Sequence, residues 1–222
     1  MQLSVLAMAT GSARRSPYRL KVREMAAVQI RIDASQLTTL GNLLGAAGEK
    51  SQTAIMRALN HTGKKARIAM VRALVPQTGL KNKTIKKALG QHTAYDGRSG
   101  GAARGAYVIK SKGGNIRLKF FKPREGGDGV DASPWNAQHH YAGGFTKVGG
   151  GFGKKRRKKT KKFGGNVMRR VGGSRKPLEV VKSGLDIPDE MVTGASASSF
   201  YSTVQSDLMP RVFHELLRVI PG

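Results

Sequence analysis

The chain has 222 residues, 39% of them hydrophobic, and sets 40 lysines and arginines against 13 aspartates and glutamates for a net charge of +27. A molecule so charged repels itself, so the composition calls for a polyanion or an acidic protein nearby, while the apolar share is low enough that part of the length lies outside any core. Cysteine is absent, which excludes disulfides, thiolate nucleophiles and cysteine-ligated metals, and no apolar run approaches the roughly 18 residues of a membrane span.

In chain order, residues 1–24 read as a flexible basic extension, with Ser12-Ala13-Arg14-Arg15-Ser16-Pro17 at its centre. Met1 to Ala9 lacks a basic start and a full apolar region, so no signal peptide is expected there. Residues 25–222 read as one α+β domain. Val28, Ile30 and Ile32 alternate with Gln29, Arg31 and Asp33, which predicts a first strand over 27–33; a short helical turn is expected over 35–44. The stretch from Gly48 to Leu89 carries the strongest periodicity. Ile55, Leu59, Thr62, Ala66, Met70 and Ala73 fall in one narrow arc of a helix, with Arg57, Lys64, Lys65, Arg67 and Arg72 outside it. Pro76 is expected to stop this helix or to sit just beyond it. A second helical piece, Lys83 to Leu89, is expected to close at Gly90 as its C-cap.

Ala106 to Lys110 and Asn115 to Phe121 are β-rich runs around Ser111-Lys112-Gly113-Gly114, which predicts an antiparallel hairpin. In its second strand Ile116, Leu118 and Phe120 would share one face and Arg117 and Lys119 the other; Phe120 and Phe121 would then face opposite ways. From about 125 to 165 glycines recur, and no acidic residue stands between Asp131 and Glu179. Such a stretch buries too little apolar surface to offset its ordering entropy. It is expected to be a long basic glycine-rich loop at the outer part of a hairpin whose return strand is 166–171. Pro177 to Met191 reads as a turn-rich connection. Val204, Leu208, Val212, Leu216 and Val219, broadened by Met209, Phe213 and Ile220, predict a C-terminal helix; Pro210 means either a kinked helix from about Ser202 or a late start near Met209, and the length of the stripe favours the kink. The expected architecture is an antiparallel sheet of about four or more strands packed by the helix of residues 51–75 and the C-terminal helix.

No catalytic motif is found, and no catalytic, cofactor or metal residue is assigned. Gly149-Gly150-Gly151-Phe152-Gly153-Lys154 lacks the strand and helix that a nucleotide loop requires. His139 and His140 are adjacent and share no face. Asp186, Asp189 and Glu190 suit a turn and helix start as well as a metal or subunit contact; a magnesium nuclease built on them is the weakest of three functional readings. The outward-pointing feature is the run Lys154, Lys155, Arg156, Arg157, Lys158, Lys159, Thr160, Lys161 and Lys162, in which eight of nine residues are cationic. Flexible cations of this density bind phosphate through counterion release without reading sequence. An acidic protein surface satisfies the same residues. Tyr141, Phe145, Phe152 and Phe163 can serve as base-stacking groups or as loop anchors.

Ala54 to Arg67, Thr78 to Ala88, the Lys110-to-Phe121 region and Leu185 to Met191 ahead of a C-terminal helix together resemble the prophage minor tail protein Z family. The resemblance spans roughly Ala27 to Ile220 and rests on patterns of helix, loop and strand. It implies a structural minor tail or tail-completion protein of a tailed bacteriophage, located in the virion and, during assembly, in the host cytoplasm. It further implies an oligomeric ring at the head-proximal end of the tail or the neck, with the tail terminator, connector and tail tube as neighbours, non-specific contact with packaged double-stranded DNA, no membrane, no cofactor and no enzymatic activity. The insertion from Gly143 to Gly165 is longer and more basic than the family pattern. A non-enzymatic nucleic-acid-binding protein, such as a ribosomal component, is the second reading of the same charge.

Overall fold

The computed structural model describes residues 7–9, 25–31, 45, 48, 50–95, 103–146, 163–172, 174 and 176–220. Strands β1 (Ala7–Ala9) and β2 (Met25–Arg31) precede helix α1 (Lys50–Thr78). On α1 the stripe is where its spacing puts it: Ile55, Leu59, Thr62, Ala66 and Met70 are buried, Ala73 is half-buried, and Arg57, Lys64, Lys65 and Arg72 are exposed. Pro76 does not stop the helix but lies in its last turn. It removes one donor, and the turn closes by other bonds. The Thr78 hydroxyl donates to the Leu74 carbonyl at 2.6 Å, and Gly79, at φ 74°, donates its N–H to the Val75 carbonyl at 3.0 Å.

Helix α2 (Asn82–Ala88) follows and buries Ile85, but Gly90 is not its cap. Leu89 already has extended geometry and begins strand β3 (Leu89–His92), in which Gly90 pairs with Lys110. Next come the short parallel pair β4 (Ala94–Tyr95) and β5 (Ala103–Arg104), then β6 (Ala106–Lys112). The main sheet is antiparallel in the order β1-β2-β6-β3, with Ile109 opposite Val28 on one side and Gln91 on the other. That arrangement overturns the expected hairpin of 106–110 with 115–121. Both edges of β6 are taken by distant strands, so Ile116 bonds instead to the loop at 183–185, and Leu118–Phe121 forms a 3-10 helix. Residues three apart eclipse in a 3-10 turn. Leu118 and Phe121 therefore point inward, and Lys119 and Phe120 outward.

The first part of the glycine-rich region, residues 125–146, forms more regular structure than its composition predicts. Strands β7 (Arg124–Glu125), β8 (Gly129–Ala132) and β9 (His139–Ala142) form an antiparallel sheet around buried Val130 and Ala132. The expected loop is thereby shortened by residues 125–146. Glycine at 129 serves packing: a Cβ there would lie 2.5 Å from the Tyr141 carbonyl oxygen. Strand β10 (Gly144–Phe145) pairs antiparallel with β11 (Met168–Arg170), the return strand expected at 166–171, and β11 pairs with β12 (Leu178–Val180). Helices α3 (Ile187–Val192) and α4 (Gly194–Leu217) complete the chain. Val204, Leu208, Val212 and Leu216 are buried as the stripe requires, while Phe213 is exposed. Helix α4 runs through Pro210 and starts at Gly194, earlier than the apolar period suggests. Its serine-rich first turns are held by tertiary bonds: Ser196 donates its N–H to the Gln77 side chain at 3.0 Å, and Gln77 in turn donates to Glu190 Oε2 at 2.7 Å.

Helices α1 and α4 lie antiparallel, Gln77 beside Ser196 at one end and Arg57 beside Arg211 and Arg218 at the other. Each of their fully buried large side chains, Leu59, Met70, Leu74, Phe200 and Leu208 among them, contributes about 1.5–3 kcal/mol. The result is an α+β fold, antiparallel sheets packed against α1 and α4. Midway along the pair, the Thr62 hydroxyl donates to Asp207 Oδ2 at 2.8 Å and the Lys65 ammonium binds Oδ1. Burial alone raises the Asp207 pKa, but the hydrogen bonds from Lys65 and Thr62, aided by the charges of Lys65 and His61, outweigh it and hold the carboxyl below its usual range. With a depressed folded pKa, the contribution is full above the unfolded value of about 3.9 and is lost as pH falls through the folded value. Thermal midpoints of wild type and Asp207→Asn are expected to differ most near neutral pH and to converge in acid. A gap that stays constant through the acid range would refute the ionic contribution.

Candidate functional site

The eight cations singled out in the sequence, Lys154 to Arg157, Lys158, Lys159, Lys161 and Lys162, lie outside the described residues. Their stem is described. Thr146 bonds through its hydroxyl to Glu125 Oε2 at 2.7 Å, and Phe145 meets Phe163 edge to face at 6.4 Å. These two aromatic residues thus anchor the base of the hairpin rather than stand free for stacking.

A different basic feature emerges where α2, the end of β6 and the 3-10 helix meet. The chain leaves α1 through buried Leu80, and α2 turns Ile85 inward, which leaves Lys83 and Lys87 outside. Strand β6 delivers Lys112 to the same side. Beyond Gly113 and Gly114, the segment 115–117 is fastened to 182–185. The Gly184 N–H donates to Asn115 Oδ1 at 2.6 Å, the Ile116 N–H to the Leu185 carbonyl at 2.9 Å, and the Ser183 N–H to the Ile116 carbonyl at 2.8 Å. With Leu118 and Phe121 as anchors, the 3-10 turn presents Arg117, Lys119 and Phe120.

These elements enclose an open groove of about 600 Å³. Its rim holds six cations, Lys81, Lys83, Lys87, Lys112, Arg117 and Lys119, and among the described residues no carboxylate lines it. Its floor is apolar, made by Ala88, Ile116, Phe120 and Ile187. Phe120 is 39% exposed, unusual for a side chain of that size, and the Lys119 ammonium sits 5.4 Å from its ring centroid. A neighbouring hollow of about 540 Å³ beyond Lys87 and Lys112 adds Lys110 and His92. The groove can hold a negatively charged chain against an apolar surface.

A second cation-rich hollow, of about 510 Å³, opens where the first half of α1 meets the end of α4, with Arg57, His61, Lys64, Arg211 and Arg218 about Glu215. It carries its own anion. The Glu215 side chain is 2% exposed and takes Arg211 at 2.6 Å and Arg218 at 3.5 Å. Of the carboxylates weighed in the sequence, Glu190 has a structural use: Trp135 donates its indole N–H to Oε1 at 2.6 Å and Gln77 donates to Oε2. Among the described residues, no three histidine or acidic side chains converge as a metal site, and no helix is long and apolar enough to cross a membrane.

The groove escaped sequence reasoning because its halves are far apart in the chain. The available signal was the pair of lysine-rich segments 81–87 and 110–122, each with its cations on one side of an apolar anchor. Comparison with protein-family models, curated proteins and solved structures finds no match.

Proposed function

We propose that this chain is a structural minor tail or tail-completion protein of a tailed bacteriophage, one that works by assembly against negatively charged neighbours at the head-tail joint. The observation that supports this reading is the groove lined, among the described residues, by six cations and no carboxylate around an apolar floor. The resemblance of 54–67, 78–88, 110–121 and 185–191 to the minor tail protein Z family supports it: three of those segments supply groove residues. Repetition of such a surface around a ring turns modest contacts into firm ones by multivalency.

The run from Lys154 to Lys162 is assigned to packaged DNA. Full-length protein is expected to bind duplex DNA with steep salt dependence: four phosphate contacts give a loss of about 10²-fold between roughly 50 and 200 mM salt. Glutamine at the eight cationic positions is expected to flatten that slope; an unchanged slope would remove this run from the DNA contact. The second reading, a nucleic-acid-binding component such as a ribosomal protein, draws on the same charge and is separated by fractionation. In a density gradient of host lysate the chain should travel with tailed particles. Recovery with ribosomal subunits would replace the proposal by the second reading, and recovery in neither fraction would overturn both.

A further inference from the structure

Resting on the assembly reading, the geometry points to a specific occupant of the groove: an extended, acidic segment of a partner protein that carries apolar side chains between its carboxylates. The rim accounts for the acid. Six cations line it and, among the described lining residues, no carboxylate does, so an incoming anionic chain meets an excess of positive charge. The floor accounts for the rest. Duplex DNA presents phosphates and sugars, and would ride on the lysines while leaving Ala88, Ile116, Phe120 and Ile187 unfilled; pressing a phosphate onto them would cost desolvation without a hydrogen bond in return. Single-stranded nucleic acid prefers successive aromatic platforms. The groove holds one aromatic ring, Phe120, and Lys119 already stands 5.4 Å from its centroid.

A polypeptide in extended form alternates its side chains between two faces, so carboxylates can reach the rim while leucine or phenylalanine side chains enter the floor. Glycine at 113 and 114 removes side chains from the wall between Lys112 and Asn115, and a Cβ at 114 would meet nothing within 4 Å. That leaves backbone accessible beside the floor, where an extended segment can lie close. Phe120 is then the specificity-determining contact: an exposed aromatic on a rigid 3-10 turn, pinned by Leu118 and Phe121 beneath it.

The test titrates the full chain with three fluorescent probes of equal net charge: an acidic peptide with leucine and phenylalanine at alternate positions, the same peptide with serine in their place, and oligo-dT. The apolar-acidic peptide is expected to bind at least about tenfold more tightly than the serine version, a gap of about 1.4 kcal/mol. Phe120→Ser should erase that gap and leave the serine peptide unaffected, whereas Lys81→Gln with Lys119→Gln should weaken both peptides. Ile116→Ser, with thermal midpoints of all variants, guards against a folding artefact at one position. Equal affinity of the two peptides, or a gap that survives both Phe120→Ser and Ile116→Ser, overturns the inference; oligo-dT binding that depends on Phe120 overturns it in favour of single-stranded nucleic acid. Co-sedimentation with particles is scored separately, so loss of peptide selectivity with particle association retained refutes only the occupant.

Discussion

Gly63→Val is expected to lower stability by about 3 kcal/mol or more, on the order of 10 °C in thermal midpoint for a domain of this size. Glycine inside a helix ordinarily costs about 1 kcal/mol relative to alanine, so filling the position would stabilise an isolated helix. Here the ring of fully buried Tyr107, from strand β6, packs against the α1 backbone at residue 63. A Cβ at residue 63 would stand 2.7 Å from Tyr107 Cε1 and closer still to Cγ and Cδ1. The ring cannot withdraw easily, since its hydroxyl donates to Gln91 Oε1 at 2.7 Å on the neighbouring strand β3. Overpacking of this kind exceeds the propensity gain even for alanine, by a smaller margin. Urea denaturation of Gly63→Val, Tyr107→Ala and the double variant checks the cause. The two changes should be strongly non-additive, with the double variant recovering stability relative to Gly63→Val alone. An alanine or valine at 63 that leaves the midpoint unchanged or raised would show that the ring moves aside.

Glu215→Ala is expected to cost about 2–4 kcal/mol. The usual penalty for breaking a buried pair is roughly 3–5 kcal/mol, reduced here because Arg211 is 29% exposed and Arg218 more so. The carboxylate itself is nearly inaccessible, and the cations Arg57, Lys64, Arg211 and Arg218 stand about it where the first half of α1 meets the end of α4. Without it, those charges repel across the helix pair. The double variant Glu215→Leu with Arg211→Met, which removes both charges and keeps apolar bulk, should recover most of the loss. Chemical denaturation decides: a single variant within about 0.5 kcal/mol of wild type would mean that solvent already screens the cluster.

Helices α1 and α4 were legible because an apolar residue every three or four positions over five or more turns has no other economical reading. Boundaries were not. Ser196 and Ser198 carry no apolar period, yet they belong to α4 because Gln77, on the neighbouring helix, supplies the acceptor that Ser196 needs. Likewise the run from Ile116 to Phe121 alternates like a strand, yet Leu118 to Phe121 fold as a 3-10 turn, since pairing is decided by which edges remain open. Both edges of β6 were already occupied by β2 and β3. Even so, the expectation that Phe120 and Phe121 would face opposite ways held, by a different geometry: Phe121 is buried and Phe120 exposed.

What the amino-acid sequence determined by itself is the excess of positive charge, the two helical stripes and the β character of Ala106 to Lys110, all of them properties of residues close together in the chain. The tertiary structure alone decided that Lys81, Lys83 and Lys87 would stand across an apolar floor from Arg117 and Lys119, and that a helix glycine would seat a tyrosine ring from the sheet. Both outcomes need contacts between segments dozens of residues apart. Side-chain spacing along a helix or strand carries no record of such contacts, because it reports only which face is buried and not what buries it.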